Sequence, residues 1–277
     1  MNAAQSRFLL VAMSVLALLF LYAPIVSIVI YSFNESQLVT VWSRFSTKWY
    51  AALLHDDQIL RAARISIEVA LLSATGATVL GTFAGYILSR FGRFPGRTLF
   101  SGLVMAPLVM PEIIMGISTL LLFVALEAAI GWPHRDIQTI VMAHITFATA
   151  FVAVVVQSRL SEIDVSIEEA AADLGARPLQ VFFLVTLPLI APALMSGFLL
   201  AFSLSLDDLV ITSFVSGPSS TTLPMVIFSK VRLGLNPEIN ALGALIILFV
   251  GVIATIATFR TIFADWRGKR KVETATA

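Results

Sequence analysis

The sequence predicts an all-α polytopic membrane protein with six transmembrane helices and with both termini in the cytoplasm. Of its 277 residues, 58% are hydrophobic and 13% are charged, and the mean hydropathy is +0.93. A soluble domain carries about 25% charged residues. Six apolar stretches are long enough to cross a bilayer, which takes about 20 residues per helix. The net charge of +1 gives no indication of nucleic-acid binding.

The six stretches form a single predicted transmembrane domain over residues 1–277, with a cytoplasmic loop at 159–188. They run approximately over 8–33, 65–89, 99–126, 137–158, 189–214 and 239–259. The first stretch is longer than the apolar core of a signal peptide, which has about 7–15 residues. Because five more spans follow it, we expect an uncleaved signal anchor.

Lys and Arg residues decide the predicted orientation, because cytoplasmic loops carry an excess of both. With the N-terminus inside, eleven fall on the cytoplasmic side and seven on the outer side, four of the seven in the first outer loop. The cluster of Arg90, Arg93 and Arg97 and the basic tail at 260–271 favour this orientation. It places the loop at 159–188 in the cytoplasm.

That loop contains the signals of a short helix with a defined start and stop. Ser166 and Glu169 have the S-x-x-E spacing of a capping box, in which each side chain binds the other residue's amide. Gly175 is placed for a left-handed C-terminal cap, and Pro178 prevents continuation. The sequence therefore predicts a helix that begins at Ser166 and ends just before Gly175.

The interior of this helix combines strong helix formers with acidic side chains. The helix formers are Ala170, Ala171 and Ala172. The acidic residues are Glu168, Glu169 and Asp173. These acids keep the segment out of lipid, so we expect it to lie on the membrane surface, joined to a span at each end. A partner that presses on it would move both spans.

Four acids fall within the predicted spans, where no Lys or Arg falls: Glu68, Glu112, Asp207 and Asp208. An Asp at a helix centre costs roughly 2.5–3.5 kcal/mol on insertion scales. Such acids therefore usually face a bundle interior or a wet cavity. An unpaired acidic set suits a pathway for a cationic solute such as a di- or polyammonium ion. Pro107 and Pro111, near Glu112, each predict a kink, which either frees carbonyls to line that cavity or serves packing alone.

Each acid also has a structural alternative. Glu68 can reach the headgroups, and Glu112 can bond to backbone freed by proline. Asp207 and Asp208 are adjacent, so their side chains point about 100° apart. One of the two lines the path while the other caps a helix or meets a sister subunit. His144, in the fourth stretch, is predicted to be a hydrogen-bonded core residue.

Several functions have no signal in the sequence. There is no cysteine, which excludes disulfides, thiol chemistry and Cys-based metal sites, and the three histidines are too scattered to suggest a metal centre. The phosphate-loop pattern G-x-x-x-x-G-K-[ST] is absent from the sequence. We therefore expect no enzymatic activity and no cofactor in this chain, and any ATP hydrolysis has to come from another chain.

The run Glu169-Ala170-Ala171, followed by Gly175 and then by 185–188, resembles the EAA signature of ABC-importer permeases. The family pattern ends in I-x-L-P, and here Val185 replaces Ile while Pro188 is kept. The resemblance implies the type I, MetI-like permease architecture. It also implies that residues 166–175 form the coupling helix that docks on a separate cytoplasmic ATPase, present in two copies, which binds ATP and Mg²⁺.

Five further stretches resemble permeases of polyamine importers: 21–36, 106–113, 144–156, 205–218 and 236–242. They are most similar to the second permease of putrescine/spermidine systems, and the surroundings of Trp42, Trp132 and Thr221 are closer to the putrescine type. The resemblance implies a multi-pass subunit of the bacterial inner membrane that imports a polyamine, with a homologous second permease and a periplasmic polyamine-binding protein as partners.

Two other function classes remain open from the residues alone. A cation-coupled secondary transporter would use Glu112 or Asp207 as its proton carrier, but it would not need the EAA-like loop. An intramembrane aspartyl enzyme would use Asp207 and Asp208. Adjacent residues on one helix do not face each other as such chemistry requires, and no G-x-G-D motif occurs in the sequence.

Overall fold

The computed structural model describes residues 3–37, 41–234, 237–249, 251–252 and 255, with side chains from residue 7 onwards. Two compact units can be distinguished, one comprising Met1–Asp57 with Ile227–Ala277 and the other Gln58–Val226. The basic tail at 260–271 and the end of the sixth apolar stretch lie outside the described residues. The division of the chain into one functional domain stays a prediction.

The first unit contains the long N-terminal helix and a folded loop. Helix α1 spans Ala3–Tyr31, and its apolar side chains are exposed, as expected of a helix that faces lipid. The short helix α2, Lys48–Leu53, follows a loop that is organised by the buried Asn34. The Asn34 side chain donates to the Val41 carbonyl and accepts from the Ser43 amide. An apolar helix at Pro237–Phe249, α12, completes the described part of this unit.

The second unit is built from helices that run through most of the remaining chain. Their bounds are α3, Asp57–Arg90; α4, Arg97–Val109; α5, Glu112–Ile130; α6, Ile137–Glu162; α7, Ser166–Asp173; α8, Pro178–Val181; a π-helical segment, Phe182–Thr186; α9, Leu187–Leu206; and α10, Val210–Val215. Helix α8, the π-helical segment and α9 form one continuous helical stretch, Pro178–Leu206. Helix α11, Leu223–Leu233, follows.

Helix α6 lies at the centre of this unit, and small residues on α3 let the two helices approach closely. A Cβ atom added to Gly81 would lie 2.6 Å from Cβ of Val152, and one added to Gly85 would lie 2.8 Å from the Ala153 carbonyl oxygen. Val152 and Val156 are fully buried in the cluster that α6 forms with α3 and α9. Close packing of this kind, rather than hydrophobicity, holds helices together in lipid.

The predicted all-α class is confirmed, and two of the predicted spans contain an interruption of the helix. The stretch 99–126 divides into α4 and α5, because Met110 has an extended backbone and Pro111 cannot continue α4. The stretch 189–214 is interrupted at 207–209, between α9 and α10.

Five helices in the described ranges are long and apolar enough to cross a membrane: Arg7–Tyr31, Asp57–Arg90, Glu112–Ile130, Ile137–Glu162 and Pro178–Leu206. The described part of the sixth predicted span lies in α12 and at residues 251, 252 and 255. A count of six and the side on which each terminus lies stay predictions.

Candidate functional site

Helix α7 occupies the predicted coupling segment and ends in a left-handed glycine. Gly175 has φ +89°, its N–H donates to the Ala172 carbonyl at 2.9 Å, and the Ala176 N–H donates to the Ala171 carbonyl at 3.1 Å. These two bonds are those of a Schellman C-cap. Pro178 then begins α8, at a position where a missing N–H leaves no bond unmade. The predicted glycine stop and proline restart are confirmed.

The predicted capping box at the start of α7 is wrong. Ser166 is already inside the helix, and Val165 is the N-cap residue. All residues of this helix are described, and its N-cap makes no side-chain hydrogen bond. The Ser166 N–H donates instead to Oδ1 of Asp164 at 3.0 Å. This local bond competes with the predicted cap, in which Ser166 itself would be the N-cap residue. Bonds from the Ser166 amide and hydroxyl lower the pKa of the exposed Asp164 carboxyl.

Glu168 is turned towards the protein interior, unlike Glu169 and Asp173, which are exposed. Its Oε2 atom lies 3.0 Å from Nε of Arg90, an ion-pair contact without hydrogen-bond alignment. Its Oε1 atom accepts from the Thr186 hydroxyl at 2.9 Å. Sequence reasoning placed Glu168 on the polar helix but missed Arg90 and Thr186 as its partners. Arg90 was noted only as part of the basic cluster, and neither partner is near Glu168 in the chain.

The other side of α7 presents apolar side chains to the surroundings. Ile167, Ala170 and Leu174 have the i, i+3, i+7 spacing of one helix face, and Leu174 is 90% exposed. Leu179 adds an exposed apolar side chain at the start of α8. We call these four residues with the exposed Glu169 and Asp173 the α7 surface. An exposed apolar patch rimmed by charges is typical of a protein–protein contact.

Pro188 lies just after the π-helical segment and within the continuous stretch Pro178–Leu206. A proline inside a helix removes a donor and collides with the carbonyl four residues earlier. Here the Leu187 N–H donates to the Phe182 carbonyl, five residues earlier, as in a π-turn. The wider turn accommodates Pro188 without ending the helix.

Asp208 belongs to a buried polar cluster around His144. Nε2 of His144 lies 3.1 Å from Oδ2 of Asp208, and Nδ1 lies 2.7 Å from the Ser205 hydroxyl. Oδ2 of Asp208 also accepts from the Thr212 amide and hydroxyl, both at 2.7 Å. With its proton on Nε2, His144 donates to Asp208 and accepts from Ser205. The prediction that His144 is a hydrogen-bonded core residue is confirmed.

Of the two adjacent acids, Asp208 is therefore the one that caps a helix. Its carboxylate satisfies amides at the start of α10, from Ile211 and Thr212, and its side chain is only 6% exposed. Asp207 terminates α9 and is exposed. Asp207 is thus the exposed member of the pair, and its place in a solute path stays a prediction.

Glu112 and Glu68 are also exposed, and the helix that carries each of them contributes to one buried cluster. Glu112 is the first residue of α5, where the helix dipole favours a negative charge. Glu68 precedes Val69 on α3. Val69, Met115 of α5 and Ile211 of α10 lie in the same buried cluster. The helices that carry Glu68 and Glu112 therefore pack around a common core with α10, which begins just after Asp207.

The described side chains contain no group of three His, Asp or Glu residues that could hold a metal ion.

Comparison with known proteins gives a family match and close relatives. The family model described as "Binding-protein-dependent transport system inner membrane component" matches residues 77–270. Over 257 residues, the chain is 58% identical to the "Putrescine transport system permease protein PotI" of Escherichia coli strain K12, covering 92% of each chain. Over 239 residues, it is 41% identical to the "Spermidine/putrescine transport system permease protein PotC" of the same strain, covering 86% of this chain and 88% of the relative.

A solved structure supports the fold independently. The chain aligns with a TM-score of 0.70 to a chain of a bacterial alginate ABC transporter in complex with an alginate pentasaccharide-bound periplasmic protein, covering 93% of this chain and 96% of that chain. The sequences are 16% identical, so the likeness concerns the fold alone. The predicted ABC-importer permease fold is confirmed.

Proposed function

Because the chain belongs to the family of binding-protein-dependent transport system inner membrane components, we propose that it is the transmembrane permease subunit of an ABC importer for a polyamine, in particular putrescine. The relative that is 58% identical is named for putrescine transport. Helix α7 is the structural observation that carries the proposal. It joins two long apolar helical stretches, Ile137–Glu162 and Pro178–Leu206, and presents an exposed surface to a partner.

The α7 surface is the docking site of a cytoplasmic ATPase, two copies of which bind ATP and Mg²⁺. Ile167, Ala170 and Leu174 insert into a groove of the ATPase, and Glu169 and Asp173 contact its rim. ATP binding draws the two ATPase copies together and displaces α7. The displacement moves α6 and α9 and changes the side of the membrane to which the pathway opens, and hydrolysis resets it.

A second, homologous permease completes the pore, and a periplasmic binding protein delivers the polyamine to its outer side. A bacterial alginate ABC transporter of this fold was solved in complex with a periplasmic protein, which supports the second part of this proposal. The chain itself supplies the path and the coupling. The covalent chemistry, hydrolysis of ATP, takes place on the ATPase.

The path for the polyamine uses the exposed carboxylates Glu68, Glu112 and Asp207. Carboxylates attract the ammonium groups of a diamine, and the attraction is stronger where water is partly excluded. Helix α4 ends just before Glu112, and the carbonyls of its last turn, which no following helical turn uses, are further acceptors for an ammonium group. Asp208 positions this region by capping α10 and does not contact the solute.

Reconstitution in vesicles tests the proposed function. The complete assembly of this chain, second permease, ATPase and binding protein is expected to accumulate labelled putrescine only when ATP is enclosed with the ATPase. The Leu174→Asp variant, with a charge on the α7 surface, is expected to lose the ATPase during purification. The matched control Leu233→Asp changes a side chain of similar exposure, 87%, on α11 and is expected to keep it.

Accumulation by the chain alone would contradict the proposal. Uptake that stops when the proton gradient is collapsed but survives removal of ATP would instead identify a cation-coupled secondary transporter.

A further inference from the structure

Helix α7 is not held in place by a buried apolar face. It has eight residues, all of them described, and none is buried. A helix this short is not stable on its own. A displacement of α7 would therefore bend its connections to α6 and α8 rather than move the spans, unless α7 is fixed to the transmembrane helices by a further contact.

Glu168 makes such a contact with two different elements. Its carboxylate pairs with Arg90 at the last residue of α3 and accepts from Thr186 at the last residue of the π-helical segment. The side chains of Glu168 and Arg90 are 11% and 10% exposed, and Thr186 is fully buried. Nη2 of Arg90 also donates to the Ile163 carbonyl at 3.3 Å, just before α7. The same guanidinium thus holds both the loop that enters α7 and the helix itself.

The two elements that Glu168 contacts are already joined to each other by aromatic rings. The Phe182 ring, at the start of the π-helical segment, lies 5.0 Å from the Tyr86 ring and 6.0 Å from the Phe83 ring of α3, measured between centroids. Edge-to-face and offset pairs at these distances are favourable. The end of α3 and the π-helical segment therefore form one packed unit without α7, and Glu168 adds α7 to it.

We propose that Glu168, Arg90 and Thr186 form a brace that makes α7, the end of α3 and the π-helical segment move as one body during transport. The proposal rests on the proposed function, since it concerns how the displacement of α7 by the ATPase reaches the spans. Glu168 is thus a positioning residue and lies outside the docking surface. A buried ion pair suits this role because separating its partners leaves an uncompensated charge, so the brace resists both pushing and pulling.

A double-mutant cycle in the complete reconstituted transporter tests the brace. The quantity measured is the amount of putrescine imported per ATP hydrolysed, together with the amount of ATPase that co-purifies. We expect Glu168→Gln and Arg90→Gln each to lower imported putrescine per ATP roughly tenfold while the ATPase stays bound. We expect the double variant Arg90→Gln/Glu168→Gln to import more putrescine per ATP than either single variant, because it leaves no buried charge unpaired.

Two further variants make the result specific. Glu162→Gln removes an exposed ion pair with Arg159 at the end of α6 and is expected to leave imported putrescine per ATP unchanged. Thr186→Val removes only the bond between Glu168 and the π-helical segment and is expected to lower it by roughly twofold to threefold. If a single charge variant does not fold or insert into the membrane, the uncharged double variant and Thr186→Val are compared with wild type.

The absence of cysteine from the sequence allows a direct measurement of the movement. Ala172 of α7 and Phe91 just after α3 are both exposed and can carry spin labels. In wild type, the distance between the two labels is expected to be the same with and without ATP. In Glu168→Gln, this distance is expected to change when ATP is added.

Three outcomes would overturn the brace: unchanged import per ATP in Glu168→Gln, loss of the ATPase in that variant, or losses that simply multiply in the double variant. Failure of the wild-type assembly to import putrescine with ATP would instead count against the proposed function.

Discussion

Asp207 and Asp208 are neighbours in the chain, but their carboxylates have different surroundings. The Asp208 side chain is bound by His144 and by the Thr212 amide and hydroxyl, whereas Asp207 is exposed at the end of α9. Loss of charge at a buried, fully bonded carboxylate affects folding. Loss of charge at an exposed carboxylate in a solute path affects the rate at which the solute is transported.

The two positions should therefore give opposite results when each is changed to Asn. Asp208→Asn is expected to lower the free energy of unfolding by about 1–3 kcal/mol, because buried donors around it lose a charged acceptor. Asp207→Asn is expected to unfold like wild type but to import putrescine roughly tenfold more slowly in the complete assembly. Thermal unfolding in detergent and initial uptake rates check both. Wild-type uptake by Asp207→Asn would remove Asp207 from the path.

Gly175 is required by its backbone conformation rather than by space. Nothing lies within 4 Å of a Cβ atom added there, but φ is +89°. Gly175→Val is expected to cost about 1–3 kcal/mol of local strain, to disturb the end of α7 and to abolish putrescine uptake while ATP hydrolysis continues and the protein still inserts. Gly131→Val is the matched control, since Gly131 ends α5 with φ +73° and has equally open surroundings. Equal loss of uptake in both variants would contradict a coupling role for Gly175.

At the scale of elements, the interruptions in the apolar helices mark the limit of what the sequence could predict. Hydropathy measures how long an apolar stretch is and gives no measure of whether its helix is continuous. Pro111 was expected to kink the third stretch, but the extended Met110 before it separates two helices. At the interruption at 207–209, Asp208 caps α10 through local bonds and also binds His144, which lies 64 positions away in sequence. A local pattern contains the first contact but not the second.

The start and end of α7 illustrate the same limit. The stop at Gly175 was predictable because a left-handed glycine and a following proline act locally. The cap at the start was not, since Asp164 and Ser166 offer competing local bonds and the sequence alone does not rank them. The inward turn of Glu168 depends on Arg90, which is distant in the chain. Even Ile163, whose carbonyl Arg90 also binds, lies 73 residues from Arg90.

Lys230 of α11 joins two other segments of the first unit. Its Nζ atom lies 2.6 Å from Oδ2 of Asp56, before α3, and 3.1 Å from Oε2 of Glu238 in α12. Burial disfavours the charged ammonium, but the hydrogen bonds that it donates to Asp56 and Glu238 outweigh this effect, so the pKa of Lys230 is raised. A raised pKa means that the folded protein holds this proton more tightly than the unfolded chain.

The contribution of Lys230 to stability should therefore depend on pH in one direction. It is fully present below the unfolded pKa of about 10.4 and is lost as pH rises through the higher folded value. Lys230→Met is expected to be less stable than wild type by about 1–3 kcal/mol at pH 7, and the difference should shrink above pH 10. Arg232→Met, at an exposed position of the same helix, is the control and should change little. A difference that grows with alkaline pH would contradict this account.

At the scale of the whole molecule, composition alone was sufficient for the class, and the EAA-like spacing was sufficient for the family. The bilayer constrains the composition of every span, and a partner that binds a segment constrains the spacing of several residues in it. Each constraint therefore acts on many residues at once. The side of the membrane on which each loop lies depends on a modest excess of Lys and Arg, eleven against seven in the predicted topology, and needs a measurement.

Single cysteines in the naturally cysteine-free chain provide that measurement. Ala172→Cys in α7 and Leu233→Cys at the end of α11 both lie at exposed positions. In intact cells with a permeable outer membrane, a membrane-impermeant maleimide is expected to label Leu233→Cys and to label Ala172→Cys only after lysis. Labelling of both before lysis, or the reverse order, would overturn the predicted orientation.

The π-helical segment has a consequence for how this chain tolerates changes of length. A π-turn accommodates one residue more than an α-turn, so the side chains before Phe182 and after Thr186 follow different angular registers. Deletion of the exposed Leu184 would allow a regular helix to form, and everything upstream would then rotate by about 100° relative to α9. Thr186 and Glu168 would no longer face each other. The extra residue therefore sets the rotation of the segment before Phe182 relative to α9, and its removal would change that rotation without changing a single charge.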